Sequence, residues 1–423
     1  RSSAASDVYK RQGYKLYWSD GAQALSPHLE NIISEIHQIK YLSQISQLSL
    51  PNQYVQPLSP NVEKVYLEAI TNLILRQNMI TEEGKHLHIV YTPLHGTGVT
   101  FVPRALKMLG FSDLHFVEKQ MRPDGDFPTI TSPNPEQFTT LSLAATLLQE
   151  SKGDIAIATD PDADRVAIVI QHNEKNVHLS GNEVAALLLY YICISLRDTH
   201  SLPSNSAIVF TIVTTELLRS IADHFSIHSF EVLTGFKYIA EKIRKWDETH
   251  AYHFLFGAEE SCGYLYGSYC RDKDGVAMSC LIAEVALYAK LRDLTLVDLL
   301  HEIYERFGIY QETQLSLWFP EEGSQMKKFM QKARTSFPKK ICGIAVTTWL
   351  DYKEEIVGFP KSDVLSIRLG DQTKIVIRPS GTEPKIKIYI MASEPYITSV
   401  EEAITICQNK ISMLLNEIKT ALI

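Results

Sequence analysis

The stretch Asp154-Ile155-Ala156-Ile157-Ala158-Thr159-Asp160-Pro161-Asp162-Ala163-Asp164-Arg165 decides the fold of this sequence. It begins as an apolar run of strand length and ends in a loop that contains proline, which is the pattern of a buried strand followed by a polar loop. Helical patterns of about 10–15 residues alternate with other short strands on both sides of this stretch. The alternation predicts a multi-domain α/β protein.

The last part of the chain has a different pattern. Residues 365–369, 374–378 and 385–389 alternate between apolar and polar side chains with period two, as antiparallel strands do. A helical pattern over residues 400–418 comes after them. We therefore predict α/β units with mixed sheets and a C-terminal α+β unit.

Composition excludes several classes of function. The chain has 423 residues and a net charge of −8 at pH 7, so no nucleic-acid partner is predicted, because that binding needs a basic face. The longest apolar run, residues 184–194, is shorter than the about 20 residues of a membrane-spanning helix, so no membrane is predicted. Six cysteines without a C-x-x-C pair indicate thiols of a reducing compartment, and we predict a cytoplasmic protein.

Three carboxylates, those of Asp160, Asp162 and Asp164, alternate directly after the apolar strand. In a tight loop this spacing lets the side chains converge, and Mg²⁺ or Ca²⁺ requires such oxygen ligands. Arg165 adds a fork-shaped donor for a phosphate beside the metal. An EF-hand is excluded, because its glycine position holds Arg165 and its glutamate position holds Gln171. The alternative is a solvated acidic turn, but three carboxylates and an arginine in one turn favour a metal site.

A second loop, residues 378–384, lies between two predicted strands. Arg378 can contact a phosphate through two N–H groups, and Ser380 and Thr382 offer hydroxyl groups. Gly381 lets backbone N–H groups approach an anion closely. A plain hairpin turn accounts for this composition equally well.

Three further stretches carry polar side chains at helix or strand ends. In residues 257–263, Glu259 and Ser261 are spaced to contact neighbouring sugar hydroxyls, although exposed acids at a strand end are an equally good interpretation. Residues 234–237 open a helix, where free N–H groups attract an anion. Residues 271–275 are either part of a site or a solvated charge run.

Taken in order, these loops resemble those of the α-D-phosphohexomutase superfamily, the phosphoglucomutases and phosphomannomutases, and most of all its phosphoglucomutase/phosphopentomutase branch. The resemblance extends from Gly13 to Ile423 and is specific, because separate loops match in the right order. It implies an isomerase that interconverts glucose 1-phosphate and glucose 6-phosphate through a phosphoserine and a bisphosphate intermediate. Phosphopentomutase, phosphomannomutase and a non-catalytic sugar-phosphate and Mg²⁺-binding fragment remain as alternatives.

The resemblance also implies a role for each loop. The aspartate loop, residues 160–165 and named the metal loop, would bind Mg²⁺ through Asp160, Asp162 and Asp164. Lys15 and Lys273 would be the catalytic lysines that transfer protons. The substrate-binding residues that the resemblance implies are Arg165, Gly235, Phe236, Lys237, Glu259, Ser261, Arg378, Ser380, Gly381 and Thr382.

The start of the chain departs from the family pattern. Residues 1–12 have no hydrophobic period and look foreign to the rest of the chain. The family's phosphorylated serine lies in a Thr-x-Ser-His-Asn-Pro loop that should fall near Ala5, where the sequence has no such loop. We therefore expect an N-terminally truncated chain that is inactive as given. The predicted segments are the non-native-looking residues 1–12, a domain I remnant (13–80), domain II with the metal loop (81–202), domain III with the sugar loop (203–322) and domain IV with the phosphate loop (323–423).

An aspartyl-phosphate phosphatase is a rival hypothesis, because such enzymes also place a nucleophilic aspartate after a buried strand. Asp160 would be that nucleophile. This hypothesis leaves the phosphate and sugar loops without a role, and it places a metal trio where one free nucleophile is needed.

Overall fold

The computed structural model describes residues 15–45, 57–319, 324–380, 383–395 and 399–422. The predictions for residues 1–14, for Gly381 and for Thr382 lie outside these described residues. Three sheets succeed one another along the chain, and a continuous apolar core joins their elements.

The first sheet contains the stretch that decides the fold. Its strand order is β2-β1-β3-β4-β5; the first three strands run parallel, and the last two form antiparallel hairpins. Every residue of β3 is buried, which is why the sequence there is apolar up to Thr159. The strands are β1 (Ile89–Thr92), β2 (Leu114–Phe116), β3 (Ile155–Thr159), β4 (Val166–His172) and β5 (Lys175–Leu179). The helices up to the end of this unit are α1 (His28–Gln38), α2 (Val62–Asn72), α3 (Gln77–Glu83), α4 (Val102–Leu109), α5 (Glu118–Met121), α6 (Ser142–Ser151) and α7 (Gly181–Asp198).

The second sheet repeats this plan with the order β7-β6-β8-β9, in which only the last strand is antiparallel to its neighbour. Its strands are β6 (Ser206–Thr211), β7 (His228–Val232), β8 (His253–Glu259) and β9 (Gly263–Tyr266). The helices of this part are α8 (Leu217–His224), α9 (Phe236–Thr249), α10 (Gly275–Lys290) and α11 (Leu296–Phe307). Helix α10 is buried along nearly its whole length and packs against both the first and the second unit.

The third sheet is antiparallel throughout, with the order β10-β15-β14-β13-β12-β11. Its strands are β10 (Ile309–Trp318), β11 (Lys340–Ile341), β12 (Ile344–Asp351), β13 (Leu365–Leu369), β14 (Lys374–Pro379) and β15 (Lys385–Glu394), and its helices are α12 (Ser324–Ser336) and α13 (Val400–Leu422). The predicted α/β fold with mixed sheets and a C-terminal α+β unit is confirmed. The domain boundaries stay predictions.

The apolar pattern of residues 61–76 predicts one helix, and this prediction is wrong because these residues do not form a single element. Helix α2 ends at Asn72, and the backbone N–H groups of Leu75 and Arg76 donate to the carboxylate of Glu284 at 3.1 and 2.5 Å. The hydroxyl of Tyr191 donates to the same carboxylate at 2.9 Å. A tertiary partner on α10 has therefore replaced the helical hydrogen bonds that the sequence pattern predicts.

Glu284 makes stability depend on pH. Its side chain is fully buried, and burial raises its pKa from 4.5 to about 7, against hydrogen bonds that stabilise the charge. Between these values the folded chain holds a proton that the unfolded chain has released. Stability therefore falls as pH rises through this window, by up to about 3 kcal/mol.

We expect Glu284→Gln to flatten this pH dependence, because glutamine keeps one carbonyl acceptor and carries no charge. The measurement is urea denaturation at several pH values between 5 and 8. The control is Glu82→Gln on the exposed face of α3, which should leave the slope as it is in the unmodified chain. Identical slopes for Glu284→Gln and the unmodified chain would contradict the prediction.

Candidate active site

The three aspartates after β3 converge as predicted. One carboxylate oxygen from each of Asp160, Asp162 and Asp164 lies within 4.8 Å of the others. Ala163 turns the chain between them with a φ of 57°, a left-handed conformation that is uncommon for a residue with a side chain. The tight loop thereby aims carboxylates that alternate in sequence at one point.

Asp160 organises the loop from inside the protein. Its Oδ1 accepts the backbone N–H groups of Asp164 and Arg165 at 3.1 and 2.9 Å, and its Oδ2 accepts Nε of Arg165 at 2.8 Å. Nη1 of Arg165 also lies 3.3 Å from Oε1 of Glu136 and 3.4 Å from Oδ1 of Asn134. Arg165 is thus bound by carboxylates and orients the metal loop; its predicted phosphate contact stays a prediction.

Asn134 and Glu136 are site residues that the sequence analysis missed. They lie in the loop between α5 and α6, where two prolines alternate with polar residues. Such composition marks a rigid loop, and this was the signal that could have drawn attention to it. A second loop also supports the aspartates, since the N–H of Thr97 donates to the carbonyl of Pro161 at 2.8 Å.

Both predicted catalytic lysines contact the metal loop. Nζ of Lys15 lies 3.1 Å from Oδ2 of Asp162 and 2.7 Å from Oδ2 of Asp164. Nζ of Lys273 lies 3.0 Å from Oδ2 of Asp164 and 4.0 Å from Oε2 of Glu259. Lys15, which precedes the first sheet in the chain, and Lys273, which follows the second sheet, therefore meet at Asp164.

These contacts determine the charge states of the groups. Burial alone would raise the pKa of Asp164, but the charges of Lys273, Lys15 and Arg165 hold it well below its usual range. Burial alone would lower the pKa of Lys15 and of Lys273, but the neighbouring carboxylates, of which Asp164 has the largest effect, together outweigh burial in both cases and raise the pKa. Both lysines are therefore positively charged at neutral pH and can donate a proton.

The predicted sugar loop, residues 257–263, contacts the loop that opens α9, residues 234–237. Glu259 ends β8, and its Oε1 accepts the backbone N–H of Gly235 at 2.9 Å. Gly235 has a φ of 119°, which favours glycine at this position. Ser261 is half-buried in the turn between β8 and β9. These residues bring the two loops to one place beside Lys273.

Two residues of the helix-opening loop differ in their surroundings. The side chain of Phe236 is 3% exposed and packs in the core of the second unit, so its backbone is what remains for a ligand. Nζ of Lys237 lies 5.0 Å from the centre of the Tyr238 ring and is not part of that core. The charge run 271–275 also has a structural role, because Asp274 caps α10 by accepting the N–H groups of Val276 and Ala277.

The end of β14 faces the sugar loop. Burial raises the pKa of Glu260 to about 7, the neighbouring charge of Glu259 adds to the rise, and the charge of Arg378 opposes it. Ser380 comes directly after β14, and its N–H donates to the carbonyl of Lys385 at 2.8 Å. The charge of Arg378 therefore acts on the loop that carries Glu259 and Glu260, and Lys273 connects that loop to the metal loop.

Comparison with known proteins agrees with this arrangement. Family models described as phosphoglucomutase/phosphomannomutase, alpha/beta/alpha domain II and domain III match residues 64–174 and 180–307. A phosphoglucomutase of Staphylococcus aureus (strain MRSA252) is 35% identical over 416 residues, which cover 93% of this chain and 72% of the relative. The chain belongs to the phosphoglucomutase/phosphomannomutase family. It is therefore a phosphosugar mutase, an isomerase that transfers a phosphoryl group, as the resemblance implies.

Solved structures share the fold of the family. A phosphoglucomutase of Paramecium in an open form superposes with a TM-score of 0.68 at 18% identity, covering 96% of this chain and 73% of that one. A phosphoglucomutase/phosphomannomutase family protein of Burkholderia thailandensis gives a TM-score of 0.57 at 19% identity, covering 85% and 64%. Among the residues that the structure of the present chain describes, no helix is both long and apolar enough to cross a membrane.

Proposed function

We propose that the reading frame containing this sequence encodes a phosphoglucomutase, which interconverts glucose 1-phosphate and glucose 6-phosphate through a phosphoserine and glucose 1,6-bisphosphate. The observation that carries the proposal is the 35% identity to a phosphoglucomutase along 93% of the chain. The site supports it, because acids, lysines and an arginine face one another across it. The phosphoserine is inferred from the family resemblance alone.

Mg²⁺ fits the residues of the metal loop. Oδ1 of Asp162 is buried and has no hydrogen-bond partner among the described residues, so it is an oxygen ligand that other contacts do not use. The group of three carboxylates matches the oxygen donors that Mg²⁺ prefers. We propose that Asp160, Asp162 and Asp164 hold Mg²⁺, which when bound neutralises charge that develops on the transferring phosphoryl group.

The other residues bind and orient the sugar phosphate. Arg378 and Ser380 hold the phosphate that is not reacting, through a charge-assisted contact and a hydroxyl. Glu259, whose orientation the N–H of Gly235 fixes, accepts a sugar hydroxyl. Lys15 or Lys273 gives a proton to the sugar oxygen when the phosphoryl group leaves it and takes one when the group arrives.

A coupled assay on the product of the complete reading frame tests this function. We expect conversion of glucose 1-phosphate to glucose 6-phosphate that requires Mg²⁺ and is faster than turnover of mannose 1-phosphate or ribose 1-phosphate. Faster turnover of the mannose or the ribose phosphate would replace the proposal by a phosphomannomutase or a phosphopentomutase. No conversion of any of the three would overturn it.

We expect Arg378→Lys to weaken glucose 6-phosphate binding by about tenfold or more, because lysine cannot make the two parallel N–H contacts of arginine with a phosphate. Calorimetric titration of the 423-residue chain measures this without requiring turnover. Mg²⁺ affinity, measured in the same way, should not change. Equal glucose 6-phosphate affinity for variant and unmodified chain would remove Arg378 from the phosphate site.

We expect Lys15→Gln to tighten Mg²⁺ binding by about tenfold, because an ammonium group some 3 Å from two of the carboxylates repels a second cation. The readout is a Mg²⁺ titration of the 423-residue chain at low ionic strength. Lys119→Gln, an exposed lysine of the same unit, is the control and should bind Mg²⁺ as the unmodified chain does. Weaker binding by Lys15→Gln would contradict this account of the electrostatics.

A further inference from the structure

A second group of side chains of the types that ligate metal ions lies at the β2 edge of the first sheet. His88 directly precedes β1, Asp113 directly precedes β2, and His115 lies within β2. Val90 is paired with His115 in the parallel register. Because side chains of a strand alternate between faces, His88, two residues before Val90, emerges on the same face as His115.

The donor atoms of these residues already lie near the spacing that a metal ion requires. Nδ1 of His88 is 3.3 Å from Oδ2 of Asp113, and Nε2 of His115 is 2.9 Å from Oδ1 of Asp113. One ligand atom from each residue lies within 4.8 Å of the others. Neighbouring ligands of a tetrahedral zinc ion with bonds of about 2.0 Å are about 3.3 Å apart.

The two rings are held by each other and by the carboxylate. Their centroids lie 4.0 Å apart with planes inclined by 12°. Within the part of the chain that the structure describes, Nε2 of His88 is buried and has no hydrogen-bond partner. The Asp113 carboxylate is therefore what sets the tautomer of His88, and a metal ion in place of the shared protons would break no other hydrogen bond of this ring.

The surroundings suit a cation with open coordination positions. The backbone N–H of His88 donates to Oδ2 of Asp154 at 2.8 Å, and Asp154 also neutralises Lys290 through a 2.6 Å ion pair. The side chains of Asp113 and His115 are 40% and 41% exposed, so water can complete the coordination. Two imidazoles and one carboxylate suit Zn²⁺ and similar borderline ions better than Mg²⁺.

We propose that His88, Asp113 and His115 form a divalent transition-metal site that takes Zn²⁺ or a similar ion through three protein ligands and water. The site is separate from the metal loop. His88 lies level with the start of β3, next to Asp154, and the metal loop begins at the end of that strand. Five residues at about 3.3 Å each place the two sites roughly 16 Å apart.

Calorimetric titration with Zn²⁺ tests the site in the 423-residue chain, prepared without a histidine tag, treated with EDTA and then saturated with Mg²⁺. We expect a Zn²⁺ site in the unmodified chain whose affinity falls by about tenfold or more in His115→Gln and in Asp113→Asn. The matched control is His86→Gln, which alters an exposed histidine at the same edge that pairs with Glu83 and should keep the site. Thermal unfolding in EDTA verifies that each variant is folded.

Electron paramagnetic resonance of bound Cu²⁺ gives a readout that needs no variant. Coupling to imidazole nitrogen is expected, whereas the all-oxygen metal loop would produce none. Three results would overturn the proposal: Zn²⁺ affinity that is unchanged in both His115→Gln and Asp113→Asn, an equal loss in His86→Gln, or a Cu²⁺ spectrum without nitrogen coupling.

Discussion

Replacing Asp162 by alanine should abolish Mg²⁺ binding and lower mutase turnover by about a thousandfold or more, which corresponds to about 4 kcal/mol of transition-state stabilisation. The reason lies in how differently the three aspartates are used. Asp160 accepts hydrogen bonds that shape the loop, whereas Oδ1 of Asp162 has no such bond among the described residues. Removing Asp162 therefore removes a ligand without dismantling the loop.

Two measurements check this prediction. Calorimetry measures Mg²⁺ affinity in the 423-residue chain, and the coupled assay measures turnover in the product of the complete reading frame. Asp126→Ala, an exposed aspartate of the same unit, is the control and should change neither quantity. Mg²⁺ affinity that survives in Asp162→Ala would show that the metal is not held by this loop.

Replacing Gly96 by alanine should destabilise the protein by about 3 kcal/mol. A Cβ atom at this position would lie 2.2 Å from Cα and 2.4 Å from the carbonyl oxygen of Pro161. Both are backbone atoms, so rotation of a side chain cannot relieve the clash. Because Pro161 lies in the metal loop, we expect Mg²⁺ affinity to fall together with stability.

The chain contains a close control for this substitution. A Cβ atom at Gly125, in the same unit, meets nothing within 4 Å among the described residues, so Gly125→Ala should leave stability within about 0.5 kcal/mol of the unmodified chain. Urea denaturation measures both variants. Equal midpoints for Gly96→Ala and Gly125→Ala would contradict the close approach of the two loops.

The metal loop is also held from its other side. A Cβ atom at Gly275 would lie 2.8 Å from the carbonyl oxygens of Ala163 and Arg165, and the N–H of Gly275 donates to the carbonyl of Ala163 at 3.0 Å. Glycines from two different elements thus let backbone pack on backbone around the aspartates. This packing fixes the carboxylates before a ligand arrives, which is what precise positioning of a transferring group requires.

Partly exposed strands were the main elements that the sequence analysis missed. β5 and β7 are half-buried along most of their length, and each carries only two apolar side chains, which is too short a run to distinguish a strand from a loop. Both lie at edges of their sheets, where one side has no neighbouring strand. The fully buried strand β3 was predicted, because burial on both faces demands an apolar run.

Local sequence was sufficient for the metal loop, because a buried strand, a stiff turn and three alternating acids lie within twelve consecutive residues. It determined the fold class for the same reason, since strand and helix periods are local properties. The partners of that loop are a matter of tertiary structure. Lys15 reaches Asp164 across 149 positions of the chain, and Arg165 turns to Glu136 rather than outward. Contacts of this kind arise from how sheets and helices pack, and no periodicity along the chain encodes them.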